Sequence, residues 1–411
     1  MKNIQKQILI TEADVVGNKG AIAMVNCIIK ELGKNNPQLK FVVTSKYIKS
    51  GTRIIDKKYP VEILYDGEQS FDIPLIKCWI YWFFSGFGLK LKFLLKDKVL
   101  KSYIESDIIL STSGISFIDN YGLIPLYHFT KYLQIGLLLK KPVIKFTQSI
   151  GPFDSWYNKT IAKLILPYLD YIIARGRNSK ENLEKLNITK NVICLPDIAL
   201  TLEPHQTVKT KETIDKFKGK KIIGISPNRV CVLHDKHNVY IKSLINLCEK
   251  ILEEYQDTVL LFIPHTISEK GLNIEDDLKL CQSISENLNS ERFFIENTSE
   301  YTPEEIKWLI SQTEFFIGSR FHSLIAALSE NVPSIAIGWH WKYEEMMEWL
   351  KLKDNVVQVW DLYKTDLNAL FENNYNQKEI IRNHLLEKNN SLKNEALKVY
   401  DLIKEILNEK K

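Results

Sequence analysis

The hydrophobic and polar positions alternate between short apolar runs and longer stretches with helical spacing. The short runs predict strands, because they are bounded by turn residues and are too short for typical helices. The predicted strands lie at 7–11, 41–44, 61–65, 107–110, 142–147, 171–174 and 192–195, then at 221–226, 258–263, 292–295, 314–317 and 333–337. Predicted helices fill the gaps, among them 22–32, 127–139, 239–255, 274–288, 303–311 and 321–330. This alternation predicts parallel sheets covered by helices on both faces.

The length of the chain predicts more than one domain, since 411 residues exceed what one ordinary core holds. The polar stretch 203–220 is predicted to be a linker. We therefore expect an N-terminal Rossmann-like domain over 1–205, a C-terminal one over 206–375 and a helical segment over 376–411. Ligands of open parallel sheets bind beyond the carboxyl ends of the strands, so we expect a cleft between the two domains.

The stretch 73–95 is unusually rich in aromatic residues and carries Lys77, Lys90 and Lys92. These lysines and two glycines argue against a membrane-spanning helix. One interpretation is peripheral membrane contact, with aromatics at headgroup depth and lysines facing anionic lipid. The other is a helix buried between the domains or against a partner subunit.

Composition excludes several classes of protein. The net charge is +5, which suits an anionic small molecule or an acidic membrane surface and is too weak to indicate nucleic acid. The six cysteines are far apart, which predicts neither disulfides nor a zinc site and favours the cytoplasm. The first apolar run predicts a strand rather than a signal peptide. We expect a cytoplasmic protein, with the inner face of the cytoplasmic membrane as an open alternative.

The strongest candidate site is the turn between the predicted strand at 314–317 and the helix at 321–330. Ser319, Arg320 and His322 lie there. A helix start offers backbone N–H groups and a positive dipole to an anion. Arginine adds a planar fork of donors that suits phosphate or carboxylate. The pattern therefore predicts an anion site at this edge of the sheet.

Other candidates also follow predicted strands, and the first is the loop 17–20. It contains Asn18 and Gly20 but lacks the G-x-G-x-x-G spacing, and a plain helix start explains it equally well. The other candidates after strands are Asp14, Gln148, Arg175, Asp197, Arg229 and His265. For Arg175, a structural ion pair is the alternative, and for Asp197 the cap of the following turn. No histidine spacing supports a metal site.

Several segments in the same order resemble the polysaccharide pyruvyl transferase family. They are Gly17-Asn18-Lys19-Gly20, the run from Gln148 to Phe153, the run from Pro196 to Leu200, Ser319 to Leu328, Val332 to Ile337, and Lys342. The resemblance extends from about residue 8 to about residue 350. The chain differs from the family pattern at Gly20-Ala21-Ile22, where Gly-Asp-Glu is frequent, and at Ser111 to Gly114, where a glycine run is frequent.

The resemblance implies transfer of pyruvate from phosphoenolpyruvate to a sugar of a cell-surface glycan, such as a capsule or exopolysaccharide, or of its lipid-linked precursor. The product is a cyclic ketal, and phosphate is released. It implies a GT-B-like fold, with the acceptor on the first domain and phosphoenolpyruvate on the second. No cofactor is implied beyond this co-substrate. A nucleotide-sugar-dependent GT-B glycosyltransferase and a non-catalytic glycan-assembly protein stay as alternatives, and the oligomeric state is left open.

The expected roles combine this resemblance with position. His322, Asp197 and Asp14 are the candidate catalytic residues; His322 either transfers a proton or orients phosphate. The expected substrate-binding residues are Arg320, Arg229, Lys342, His265, Ser319, Asn18, Gly20, Gln148 and Arg175.

Overall fold

The computed structural model describes residues 5–45, 59–65, 72–119, 122–267, 276–288 and 290–409. The chain divides into two compact units. The first unit comprises Met1–Val16, Met24–Ile198 and Glu395–Lys411. The second comprises Gly17–Ala23 and Ala199–Asn394.

The first unit is built on a parallel sheet. Its strands in the described residues are β1 (Gln7–Thr11), β2 (Lys40–Ser45), β3 (Val61–Tyr65), β4 (Ile108–Ser111), β5 (Ile115–Ser116), β6 (Val143–Ile150), β7 (Tyr171–Ala174) and β8 (Val192–Cys194). Their order is β3-β2-β1-β4-β6-β7-β8, with β5 paired to β6. The helices are α1 (Lys19–Asn35), α2 (Asp72–Gly86), α3 (Lys98–Glu105), α4 (Leu123–Leu138), α5 (Trp156–Ile165) and α6 (Arg177–Glu184).

The second unit repeats this architecture. Its strands are β9 (Lys221–Ser226), β10 (Thr258–Phe262), β11 (Phe293–Ile295), β12 (Phe315–Gly318), β13 (Ser334–Gly338) and β14 (Val356–Gln358). Its helices are α7 (Val208–Asp215), α8 (Arg229–His234), α9 (Tyr240–Glu254), α10 (Asp277–Ser285), α11 (Pro303–Ser311), α12 (Phe321–Ser329), α13 (Lys342–Trp349), α14 (Leu367–Asn376) and α15 (Lys378–Glu409), the last of which ends in the first unit.

The strand order β11-β10-β9-β12-β13-β14 is the Rossmann order. Strands are added on one side of β9 up to β11, and then on its other side from β12 to β14. β9, β10 and β12 are completely buried except at Lys221, which explains their nearly continuous apolar sequences. The change of direction falls between β9 and β12, which pair through Ser226 and Gly318. Loops diverge at this point and leave a crevice for a ligand.

The predicted fold class, two Rossmann-like α/β domains with C-terminal helices, is confirmed. Several elements differ from the prediction. The predicted linker 203–220 contains α7, whose start is closed by a capping box between Thr207 and Thr210. β5 and β14 were not predicted, because two or three residues carry too little periodicity. Residues 274 and 275 of the predicted helix 274–288 lie outside the described residues.

The two units also differ from the predicted domain boundaries. The chain passes into the second unit at Ala199 rather than at residue 206, and the short segment Gly17–Ala23 belongs to the second unit as well. The last residues of α15 belong to the first unit, where Val399, Tyr400 and Ile403 are buried. The ring of Tyr400 lies 6.2 Å from that of Phe146 on β6.

Helix α2 is anchored by a narrow face. Only Pro74, Leu75 and Cys78 are buried, while most of its aromatic side chains are exposed. Most of this segment is therefore not part of the core of the first unit. No helix among the described residues is long and apolar enough to cross a bilayer.

The end of α15 is expected to stabilise the first unit. Ile403→Ala removes a side chain with no exposed surface and should lower the free energy of unfolding by about 2–5 kcal/mol. Leu386→Ala, on an exposed part of the same helix, is the matched control and should cost less than about 0.5 kcal/mol. Urea unfolding measures both variants, and equal effects would contradict a packing role for the end of the helix.

Candidate functional site

The candidate site lies at the carboxyl edge of the second sheet, where β9, β10 and β12 end side by side. Arg229 follows β9, His265 follows β10, and Arg320 follows β12. Parallel strands bring these three loops to one edge because all their carboxyl ends point the same way. The structure thus brings together residues that are far apart in the sequence.

A buried carboxylate connects the three loops. Asp277, the first residue of α10, has no exposed surface. Arg320 donates to it from Nε at 2.7 Å and from Nη2 at 2.8 Å, in the bidentate geometry of a strong ion pair. The backbone N–H groups of Arg229 and Thr266 donate to the same carboxylate at 3.0 and 2.9 Å. Burial raises the pKa of Asp277, and the Arg320 guanidinium acts against that rise.

The turn before Arg320 is held from both sides. The Ser319 carbonyl accepts from Asn228 Nδ2 at 2.9 Å and from the Tyr343 hydroxyl at 2.6 Å. Arg320 occupies the N-cap position of α12, and its side chain does not cap that helix start. Arginine has no acceptor to offer its own helix, so this N-cap residue leaves the positive end of α12 suited to an anion.

His322, in the first turn of α12, lies against the backbone of the loop 17–20. A Cβ built on Gly20 would come within 2.1 Å of His322 Nδ1, so only glycine allows this approach. Asn18 fixes the loop, because its Oδ1 accepts from the N–H groups of Gly20 and Ala21 at 3.0 and 3.3 Å. Asn18 and Gly20 therefore shape the site through backbone position.

His265 is buried and surrounded by cations. Its pKa is lowered well below the ordinary value, first by burial and then by the charges of His322, Arg320 and Lys19. The Lys19 ammonium donates to the carbonyls of Ser299 and Tyr301 at 3.0 and 2.8 Å. His265 is consequently a neutral imidazole in a positively charged environment.

Several buried polar atoms at this edge lack a hydrogen-bond partner within the described part of the chain. They are Ser226 Oγ, His265 Nδ1 and Thr266 Oγ1. Each residue is at most 5% exposed. A buried polar group without a partner costs about 1–3 kcal/mol, so these atoms have hydrogen-bonding capacity that a ligand or a water molecule would satisfy. Because cationic side chains lie near them, this edge is suited to an anion.

The other predicted residues have different environments. In the second unit, the ammonium group of Lys342 lies 4.5 Å from the ring centre of Trp339 and 5.2 Å from that of Phe321. Arg229 is half-buried at the start of α8, and its backbone rather than its guanidinium contacts Asp277.

Three predicted residues of the first unit belong to internal networks. Arg175 and Asp197 form a buried ion pair at 2.7 Å, which was the structural alternative for Arg175. Gln148 donates to the Ser111 carbonyl at 2.6 Å and accepts from the Ser116 hydroxyl at 2.9 Å. These bonds engage the groups that were expected to contact substrate.

The fourth residue of the first unit is Asp14. It is half-buried, and its carboxylate accepts from the N–H of Val16 at 2.9 Å. This hydrogen bond fixes the turn that precedes the loop 17–20.

Sequence reasoning missed Asp277, Ser226 and Thr266. The pair Asp276-Asp277 before an apolar helical pattern signals a helix start, which is the role of Asp276. No local signal shows that Asp277 pairs with an arginine 43 residues away. Ser226 could have been predicted as a site residue, because it is a small polar residue at the carboxyl end of a buried strand, where ligands of such sheets bind.

The fold and this edge define a two-domain α/β protein with an edge suited to an anion. The model of the polysaccharide pyruvyl transferase family matches residues 18–340. The chain belongs to that family, as its motifs predicted, and is a transferase that acts on polysaccharide. It is 22% identical over 379 residues to the amylovoran biosynthesis protein AmsJ of Erwinia amylovora, covering 87% of this chain and 89% of that protein.

Solved structures show the same fold. S. aureus MnaA, solved with UDP, superposes with a TM-score of 0.61 at 11% identity, over 98% of this chain and 97% of that one. Anabaena Alr3699/HepE, solved with UDP-glucose, gives a TM-score of 0.59 at 12% identity, over 98% and 99%. These similarities establish the GT-B-like α/β architecture.

The Asp277 carboxylate is expected to be essential for the fold of this edge. Asp277→Ala leaves the mostly buried Arg320 guanidinium without its carboxylate and should cost about 3–5 kcal/mol of unfolding free energy. Asp276→Ala removes only the cap of α10 and should cost about 0.5–2 kcal/mol. Urea unfolding compares the two neighbours, and similar costs would refute the role of Asp277 as the connecting group.

The buried neutral His265 predicts a loss of stability at acidic pH. Its folded pKa is lowered, so below about pH 6.5 the unfolded chain binds a proton that the folded chain excludes. Between about pH 7.5 and 5.5, unfolding free energy should fall by about 1–2 kcal/mol more in the wild type than in His265→Asn. The exposed His205→Asn control should behave as the wild type, and identical profiles for all three would disprove the assignment.

Proposed function

We propose that this transferase moves pyruvate from phosphoenolpyruvate to a sugar of a cell-surface polysaccharide or of its lipid-linked precursor. The single observation that carries the proposal is the cluster of unpartnered buried polar atoms beside Arg320, His322 and the start of α12. Phosphoenolpyruvate presents a phosphate and a carboxylate on a small carbon frame, which needs several donors in a small volume. Membership of the family supports the pyruvyl group as the one transferred.

The reaction needs proton transfer at two stages. A proton adds to the donor methylene carbon, C2 becomes electrophilic, and a sugar hydroxyl attacks C2 while losing its own proton. The bond from C2 to the phosphate oxygen then breaks, with its electron pair leaving on phosphate. A second hydroxyl attacks C2 and loses its proton, which closes the ketal. One of the two hydroxyl protons balances the new methyl group, and the other leaves on hydrogen phosphate.

Several side chains of the second unit have properties suited to the donor. In the proposal, His322 contacts the phosphate and supplies the proton that leaves with it, because an imidazole titrates near neutral pH. The neutral His265 and the hydroxyls of Ser226 and Thr266 donate hydrogen bonds to the anion. Arg320, oriented by Asp277, presents a fixed cation to the developing charge.

The two predicted bases for the hydroxyl protons, Asp197 and Asp14, are carboxylates of the first unit. Asp197 is buried and paired with Arg175, which restricts its access to a substrate. Asp14 is half-buried and is the better candidate of the two predicted bases.

A second candidate function is transfer of a sugar from a nucleotide sugar. The observation that favours it is the similarity to structures solved with UDP and with UDP-glucose. A nucleoside diphosphate would also need an anion site at the edge of the second sheet. Stabilisation by UDP without stabilisation by phosphoenolpyruvate would favour this candidate.

The buried hydroxyl of Ser226, which lacks a hydrogen-bond partner among the described residues, gives a specific test. Ser226→Ala removes this hydroxyl, so the free protein should keep its stability. Phosphoenolpyruvate affinity should fall about tenfold, the effect of one lost hydrogen bond to a charged group. Ser334→Ala is the control, because that equally buried hydroxyl donates to the Val332 carbonyl at 2.8 Å.

The Ser334→Ala control should lose about 1 kcal/mol of unfolding free energy and keep its affinity for phosphoenolpyruvate. Calorimetry measures binding, and mass spectrometry of a glycan acceptor measures the gain of a pyruvate ketal with release of phosphate. Absence of phosphoenolpyruvate binding to the wild type would refute the proposal.

A further inference from the structure

The first unit exposes a continuous apolar surface that the proposed reaction does not use. It is formed by α2 and the residues that follow it, and we call it the α2 surface. Its exposed apolar residues are Ile73, Ile76, Trp79, Ile80, Trp82, Phe83, Phe84, Phe87, Leu89 and Phe93. Phe87 is 72% exposed and Trp82 is 47% exposed. Contiguous apolar surface of this kind marks an interaction site.

The charges around the α2 surface are mostly positive. Residues 73–96 contain four lysines and no acidic residue. Asp72, the first residue of α2, lies 3.8 Å from the Lys131 ammonium, and Asp170 is at the edge of one neighbouring groove. Lys77 forms an ion pair at 3.3 Å with Asp97, which lies just outside this stretch. Lys90, Lys92 and Lys96 are exposed beside the aromatic side chains. The occupant of this surface must therefore offer apolar contact and negative charge together.

Two grooves give the surface depth. One has a volume of about 800 Å³ and is lined by Trp82, Phe87, Leu95 and Leu138 together with Lys90 and Lys140. The other, about 760 Å³, is lined in part by Trp79, Trp82 and the exposed Tyr168. Apolar walls next to lysines fit an acyl chain whose phosphate headgroup contacts the ammonium groups.

We propose that the α2 surface docks on the face of a bilayer that contains anionic lipids. Tryptophan and tyrosine favour the headgroup region, and lysines are attracted to anionic lipid. The helix is too short to span a bilayer and lies with its apolar residues outward, as an interfacial helix does.

A second copy of the chain fits the surface less well. A two-fold contact sets the same surface against itself, so lysines of one copy would face lysines of the other. Apolar contact would favour that dimer, but like charges would oppose it. A bilayer supplies both the apolar depth and the opposite charge.

The test uses the full chain with vesicles of phosphatidylcholine, with or without phosphatidylglycerol. Neither donor nor acceptor is present, so the outcome is independent of the proposed reaction. The chain should sediment with the anionic vesicles, and added salt should weaken binding. Brominated lipids should quench its tryptophan fluorescence, and Trp79→Phe combined with Trp82→Phe should remove that quenching.

Two pairs of substitutions separate the apolar from the electrostatic contribution. Phe83→Glu with Phe87→Glu should reduce vesicle binding about tenfold or more. The control pair Val208→Glu with Ile380→Glu, at exposed apolar positions of the second unit, should leave binding within about twofold. Lys90→Glu with Lys92→Glu should abolish the preference for anionic vesicles, whereas the same charge change at the exposed Lys216 and Lys218 should not.

Three results would overturn the proposal. The first is no binding of the wild type to anionic vesicles. The second is equal loss in test and control pairs, which would indicate net charge alone. The third is a dimer, seen by analytical ultracentrifugation, that Phe83→Glu with Phe87→Glu dissociates, which would assign the surface to a second copy. Circular dichroism confirms that each variant is folded.

Discussion

The carboxylate of Asp277 is the group on which the edge of the second sheet depends. It accepts two hydrogen bonds from the Arg320 guanidinium and one each from the backbones of Arg229 and Thr266. A buried pair of this kind adds little net stability compared with apolar residues, but removal of one partner is very unfavourable. The interaction therefore specifies one arrangement of three loops more than it strengthens the fold.

This arrangement determines what the edge offers to a ligand. Arg320 is fixed in direction by two bonds to Asp277, so an anion meets a cation that needs little reorganisation. The pKa of His265 is lowered first by burial and then by its cationic neighbours, so the edge avoids a further buried charge. The hydroxyls of Ser226 and Thr266 have no hydrogen-bond partner in the described structure. A buried hydroxyl without a hydrogen bond is energetically unfavourable, and a bound anion would remove that penalty.

Sequence patterns were sufficient for features that depend on neighbouring residues. The turn between β12 and α12 was predicted because a buried strand, small residues and a helical pattern follow one another. Patterns were insufficient where contacts join distant segments. The approach of Gly20 to His322 depends on the segment Gly17–Ala23 belonging to the second unit, which no local property reveals. The exposure of α2 was undetermined for the same reason, since the same apolar residues suit a buried helix or an outer surface.

The polar residues at the two sheet edges are of two physical kinds. Gln148, Arg175 and Asp197 form hydrogen bonds inside the first unit, so they maintain the framework of that sheet edge. Ser226 and Thr266, at the edge of the second sheet, are as deeply buried, but their hydroxyls lack a partner among the described residues. A residue whose hydrogen bonds are satisfied internally stabilises one arrangement of the fold, whereas an unsatisfied buried hydroxyl retains the capacity to bind a ligand. By this criterion the ends of β9 and β10 are better suited to binding than the first-unit motifs.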